Sequence, residues 1–303
     1  MNNILQWNIR GLQANREELN ILLSNFNPIL VSLQETFLKP NKSTAFNNYS
    51  SNSLPGEESN GTVHGGIAIL VNNAIPLSHI QLNTSLQAVA VRVTCHKTIS
   101  ICSIYLSPSS KFYSNELGNL IAQFPPPVLL LGDFNAHSTL WGCSKTDIRG
   151  KTIEDLLLKH NLSPLNDGSH TYLHPSTDSS SAIDLSIPTP SLYLDFSWDV
   201  VTDLHGSDYF RISIHSYTTA HPVLYGTWKL SKGNWTTFSS KASSDLGRNY
   251  PNDLENPIEH FIDILTNIAN NTIPKSKPQS KKRDPIWLNA ECINSIRSRR
   301  KGT

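Results

Sequence analysis

The chain has 303 residues, 38% apolar and 8% aromatic, which is enough to bury one large core or two ordinary ones. No run reaches the roughly 18 uncharged apolar residues of a membrane span, and "MNNILQWNIRG" has neither the basic start nor the apolar stretch of a signal peptide, so an intracellular protein with no membrane partner is expected. The net charge of +1 hides an asymmetry: residues 1–225 carry 12 Lys and Arg against 17 Asp and Glu, and residues 226–303 carry 13 against 7, giving −5 and +6.

A mildly acidic body able to hold a divalent cation, followed by a basic tail, suits a polyanionic partner, although charge alone does not separate this from a solvated linker. Cys95, Cys102, Cys143 and Cys292 show no C-x-x-C spacing and are too few to staple a chain this long, so they read as reduced thiols.

Short β-rich apolar runs recur: "ILQWNI", "ILVSLQET", "GGIAILVN", "AVAVRVTC", "ISICSIYL", "PVLLLGDF", "SAIDLSI" and finally "DYFRISIH". Helical spacing interrupts them in "REELNILLSNF", with Leu19, Leu22, Leu23 and Phe26 on one face, and in "KTIEDLLLKHN", with Ile153, Leu156 and Leu157. Hairpin-like neighbours, 67–71 with 88–95 and 99–105, argue for mixed sheets over a regular doubly wound one. Residues 50–66 are rich in Ser, Asn and Gly without an apolar period and are expected to form a surface loop. Past Tyr225 the character changes. Ile258, Phe261, Ile262, Leu265 and Ile268 predict an amphipathic helix, and "PKSKPQSKKRDP" after it is basic and proline-broken. The expected division is therefore a body, 1–225, and a basic, partly helical segment, 226–303.

Several strand ends carry oxygen-bearing side chains. "LLLGDFNAH" delivers Asp133 and Asn135, "ILVSLQET" delivers Glu35, "LQWNIRG" delivers Asn8, and "ISICSIYLSP" ends near Tyr105. "SAIDLSI" sets Asp184 inside a β run, and "GSDYFRI" sets Asp208 at the mouth of the last strand. Each alone reads as a turn former or surface residue. Together they describe an α/β sandwich gathering the oxygen ligands that a hard cation such as Mg²⁺ prefers.

With "QWNIRGL", "LQET", "GGIAILV", "SIYL", "GDFNAH", "LWGC", "LNDGSHTYLHPS", "SAIDL" and "DLHGSD" in this order, residues 3–217 resemble the endonuclease/exonuclease/phosphatase superfamily. Within it they are most similar to the AP-endonuclease-like domain of jockey-type non-LTR retrotransposons. Residues 226–303, through "IPKSKP" and "PIWLNAEC", resemble the linker that precedes the reverse transcriptase there, and the chain is expected to stop short of that enzyme.

The resemblance implies a DNase I-like, four-layer α/β sandwich of two mixed sheets flanked by helices. It implies Mg²⁺ or Mn²⁺ held by Glu35 with Asn8 and Asp208, and an Asp133 that aligns or deprotonates water. Asn135 and Tyr105 would position the phosphate and stabilise the departing oxygen. The substrate would be double-stranded target DNA, nicked by a monomeric domain in the nucleus to prime reverse transcription, with element RNA as a further partner of the basic tail.

One position departs from the pattern. The family's histidine after the match to Asp208, oriented by the match to Asp184, is here Tyr209, and Arg211 stands where proline is usual. A phenol of pKa about 10 cannot supply an imidazolium charge, and general acid–base groups contribute roughly 10²–10⁴-fold, so cleavage is expected to be impaired. His205 reads as structural, His215 as too distant to substitute, and Arg211 as a solvated edge residue. His137 and Trp141 read as buttresses. The alternatives are a DNA-binding remnant that does not cut, or a small-molecule or lipid phosphodiesterase of the same superfamily.

Overall fold

The structure, a computed structural model, describes residues 2–216, 228–248 and 257–275, apart from positions 41, 43, 96, 113 and 178. The chain divides into two units, Met1–Pro222 and Val223–Thr303. In the first, β1 (Asn2–Asn8), α1 (Arg16–Phe26), β2 (Leu30–Gln34), β3 (Tyr49–Leu54), β4 (Glu57–Ser59), β5 (Thr62–His64), β6 (Ile67–Asn72) and β7 (Leu77–Ile80) follow one another. Next come β8 (Gln87–Thr94), β9 (Thr98–Tyr105), α2 (Ser114–Ile121), β10 (Val128–Asp133) and α3 (Ile148–Lys159). The unit closes with β11 (Tyr172–Leu173), β12 (Ser180–Ser181), β13 (Asp184–Pro188), α4 (Pro190–Tyr193), β14 (Phe196–Val201) and β15 (Arg211–Ser216).

Two mixed sheets result, ordered β14-β15-β1-β2-β6-β3 and β13-β10-β9-β8-β7. Each has one central parallel pair, β1 with β2 and β9 with β10, and its other pairs are antiparallel. A parallel pair needs a crossover, which α1 and α2 provide. Both faces of both sheets are thus covered, and the central strands read as continuous apolar runs for that reason.

Ile4, Leu30, Ile69, Val91, Ile101, Leu129 and Ile214 fill the space between the sheets. Leu19, Leu22 and Leu23 of α1 pack on Trp7, Val31 and Leu33 outside one sheet. Ile153, Leu156 and Leu157 of α3 pack with Leu117 and Leu120 on Cys102, Ile104 and Leu130 outside the other. These four layers are the expected sandwich.

A polar seam crosses the inter-sheet core. Ser32 donates to Ser103 (2.8 Å), Gln34 to both serines (2.8 and 3.0 Å), and Gln6 to the Gly132 carbonyl (3.1 Å). Ser186 donates to Gln6 (2.8 Å) and receives the Trp198 indole N–H (3.0 Å).

Four local expectations are corrected. Residues 67–72 pair with β2 and β3 and face β8 across the core, so the 67–71 with 88–95 pairing does not occur, whereas β8 and β9 do form a hairpin. Residues 50–66 are not a loop throughout: β3 is an edge strand and β4 with β5 a ribbon. Their side chains are mostly exposed, and an edge strand held by backbone hydrogen bonds needs no apolar period. Phe26 is 53% exposed, off the core face of α1. Arg211 is 4% exposed rather than solvated, because His205 accepts from its guanidinium at 2.6 Å.

In the second unit α5 (Trp235–Arg248) precedes α6 (Pro257–Thr272). Ile268 and Ala269 of α6 and the following Ile273 are buried, while Phe261 and Ile262 are exposed. Ile258 has no described side chain, and the basic stretch after Lys275, including Cys292, lies outside the described residues. Cys95, Cys102 and Cys143 are free thiols. Among the described residues, no helix is long and apolar enough to cross a membrane.

Candidate active site

The carboxyl ends of the two parallel pairs meet. Asn8 ends β1 beside Gln34 of β2, which places Glu35 next. Tyr105 ends β9 level with Asp133 of β10, and Asp184, first in antiparallel β13, lies opposite Asp133 on its other side. The chain leaves β2 and β10 through left-handed residues, Glu35 (φ +48°) and Asn135 (φ +46°). Asparagine tolerates that conformation, whereas for glutamate it is uncommon, and such positions cluster at functional sites.

Asn8 joins the sheets. Its side-chain amide donates to Glu35 Oε1 at 3.0 Å and to Asp133 Oδ2 at 2.9 Å. Asp133 Oδ1 accepts from the Asn135 N–H at 2.9 Å, and the Tyr209 hydroxyl supplies a further hydrogen bond. Burial, then the Glu35 charge, pushes the Asp133 carboxyl up to about 7. The Tyr105 phenol, hydrogen-bonded to Glu35, is pushed well above its usual range by burial and by the charges of Glu35 and Asp133. Asn135 donates from its side chain to the Leu106 carbonyl at 3.2 Å.

Asp184 is 2% exposed and held well above the carboxylate range, by burial first and by Asp133 second. Thr171 donates to its Oδ2 at 2.6 Å, but its buried Oδ1 has no hydrogen-bond partner.

Tyr209 is buried in the strap between Gly206 and β15. Ser207 donates to the Asn8 carbonyl (2.7 Å) and accepts from the Tyr209 N–H (3.2 Å), and the Trp7 indole donates to the Tyr209 carbonyl (3.2 Å). The Tyr172 ring lies 4.5 Å from that of Tyr209, tilted by 35°. Burial, then Asp133, Asp184, Glu35 and Tyr172, pushes the phenol far up, so it stays a neutral donor. Asp208, next to it, is half-buried and forms an ion pair with Arg10.

All the expected residues therefore lie at one end of the sandwich. Asn8, Glu35, Asp133, Tyr105 and Tyr209 are linked directly, Asp184 and Asn135 border Asp133, and Asp208 joins through the strap. His205 pairs with Glu18 and Arg211, and His137 with Asp147 at 3.0 Å. The fully buried Trp141 donates to the Ala136 carbonyl at 3.2 Å.

Three participants had no sequence signal. Arg149 of α3 donates to the carbonyls of Leu106 (3.0 Å), Phe134 (3.0 Å) and Ser110 (2.8 Å), bolting together the loops after β9 and β10. Thr171 serves Asp184, and Arg10 serves Asp208.

Among the described residues no three His, Cys, Asp or Glu side chains form a closed metal cluster. The donors nevertheless fit a hard cation that keeps most of its waters, as Mg²⁺ does. Glu35 is a half-buried carboxylate that the Asn8 amide N–H group bridges to the Asp133 carboxylate, and the repulsion that raises Asp133 is what a cation relieves.

The family described as "Endonuclease-reverse transcriptase" matches residues 99–213. A probable RNA-directed DNA polymerase from transposon X-element of Drosophila melanogaster is 26% identical over 273 residues, 87% of this chain, which spans 29% of that protein. In fold, the chain is similar to the endonuclease domain of TRAS1, a telomere-specific non-LTR retrotransposon (TM-score 0.60, 24% identity, covering 71% of this chain and 97% of that one). It is also similar to the 3′ phosphatase NExo from Neisseria, solved bound to a product DNA hairpin (TM-score 0.58, 14% identity, 72% and 100% covered). In sequence, then, this chain is similar to RNA-directed DNA polymerases of the X-element and jockey transposons of Drosophila, and in fold to the endonuclease domain of a non-LTR retrotransposon.

Proposed function

We propose that residues 1–225 form a divalent-cation-dependent endonuclease that nicks double-stranded target DNA to expose a priming 3′ hydroxyl for reverse transcription, and that Tyr209 impairs it. Residues 226–303 then act as the basic linker toward a polymerase. The observation that carries this reading is the Asn8 amide, which bonds Glu35 and Asp133 from opposite sheets. Two carboxylates so placed in a largely desolvated site have no stabilising role that an apolar pair would not fill better.

Mg²⁺ or Mn²⁺ on Glu35, with Asn8 beside it, would supply positive charge against the phosphate. Asp133, which burial holds above its usual range before the Glu35 charge adds to it, is placed to accept a proton from water. Asn135 borders the same space and has a second amide N–H to donate to a phosphate oxygen, and Tyr105 can do so once its hydroxyl is released from Glu35. The expected impairment has a physical source: Tyr209 spends its hydroxyl on Asp133, and Asp184 keeps a buried oxygen unpaired.

That same bond favours a second reading, a domain that docks on DNA without cutting. Plasmid nicking with Mg²⁺, comparing this protein with Tyr209→His, separates them. Nicking by the variant alone supports an impaired nuclease, no nicking by either supports the binder, and equal strong nicking by both removes the impairment.

A further inference from the structure

Arg10 leaves β1 two residues past Asn8 in a left-handed conformation (φ +46°), its own N–H bonded to Asn8 Oδ1 at 3.2 Å. From that turn its guanidinium pairs with the Asp208 carboxylate, and the two side chains are 46% and 32% exposed. The backbone carrying each partner is anchored. The Ser207 hydroxyl ties the strap to the Asn8 carbonyl at 2.7 Å, and the Asp208 carbonyl accepts from the Leu173 N–H at 2.9 Å.

A guanidinium stays charged at any working pH and competes with a divalent cation for the same carboxylate oxygens. A cation bound to Asp208 would also sit against that fixed positive charge. Given the cation at Glu35 proposed above, we propose that Arg10 keeps Asp208 out of the cation's ligand shell. Arg10 is thus a positioning residue that sets the ligand count: the cation rests on Glu35, which the Asn8 amide orients, and the Asp208 carboxylate anchors Arg10.

Mn²⁺ binding to the full chain, followed by the electron paramagnetic resonance of free Mn²⁺, tests this. Losing a true ligand weakens binding by roughly tenfold or more. Asp208→Asn should leave the Mn²⁺ Kd within about twofold, whereas Arg10→Met should tighten it by roughly fivefold or more, since the released carboxylate becomes available. The double variant Arg10→Met/Asp208→Asn should return to the parent value, which a general loosening of the site would not produce. A tenfold loss in Asp208→Asn while Glu35→Gln also loses binding overturns this role for Arg10 and leaves the cation at Glu35 standing. Unchanged binding in Glu35→Gln, or none in the parent, overturns the cation site itself.

Discussion

The hydroxyl of Tyr209 donates to the carboxylate of Asp133, so the side chain at the position where the resemblance led to the expectation of a histidine is tied to the group expected to activate water. Replacing Tyr209 with His removes that bond and gives Asp184 a partner for its unpaired oxygen. Nicking should rise by about 10²–10⁴-fold over the parent. A Tyr209→Phe control should stay inactive, and a gain in Tyr209→Phe equal to that in Tyr209→His would show that release of Asp133, not the imidazole, is what matters.

Within the Tyr209→His background, Glu35→Gln and Asp133→Asn should each lower nicking by at least about 10²-fold. Asn8→Ala breaks the shared amide bridge and should cost about 10-fold or more through misplacement of both carboxylates. Single-turnover nicking rates check this, and full activity in Asp133→Asn would remove Asp133 from the chemistry.

The pH dependence of folding has a definite sign. Asp133 ionises near its ordinary value of 3.8 in the unfolded chain and at about 7 in the folded one. Folding thus favours its protonated form, and that stability is complete below about pH 4 and lost as pH rises through about 7. Asp184 acts in the same direction. In EDTA the Tm should fall by several degrees between about pH 5 and about pH 8. Asp133→Asn should flatten the drop, and Mn²⁺ should reverse it. A parent Tm that climbs over this interval, with Asp133→Asn unchanged, contradicts the assignment.

Thr171→Val deletes the donor to Asp184 Oδ2 and the acceptor that Ile183 N and Asp184 N share at 3.2 Å. The variant should lose about 2–4 kcal/mol in urea unfolding, since buried polar groups are left unpaired. A loss under about 0.5 kcal/mol would mean that the site relaxes around the change.

Gly132→Ala should be harsher. A Cβ there would stand 2.0 Å from the Ile104 carbonyl oxygen in the neighbouring strand, which cannot move without opening the ladder. A destabilisation of about 3 kcal/mol or more is expected, with Asp133 displaced. Chemical denaturation measures it.

The buried strands were legible because both faces are covered: "ILQWNI", "PVLLLGDF" and "ISICSIYL" became β1, β10 and β9. The edge strand β3, "YSSNSL", was not, since its bonding is backbone and its side chains meet solvent. Sheet membership of 67–72 was equally silent, because an apolar run does not say which of two facing sheets it joins. Asn8, Glu35, Asp133 and Asp184 were readable as strand-end polar residues out of keeping with their runs. Arg10, Arg149 and Thr171 were not, because each acts through contacts with residues distant in sequence.

The seam of Gln6, Ser32, Gln34, Ser103 and Ser186 has a mechanical consequence. Apolar side chains alone would let two stacked sheets slide with little change in burial, whereas directional bonds hold one lateral offset. Asn8 and Asp133 arrive from opposite sheets, so this row of small polar groups keeps the span between them constant. With alanines in place of the serines, that lateral offset is no longer held by directional bonds.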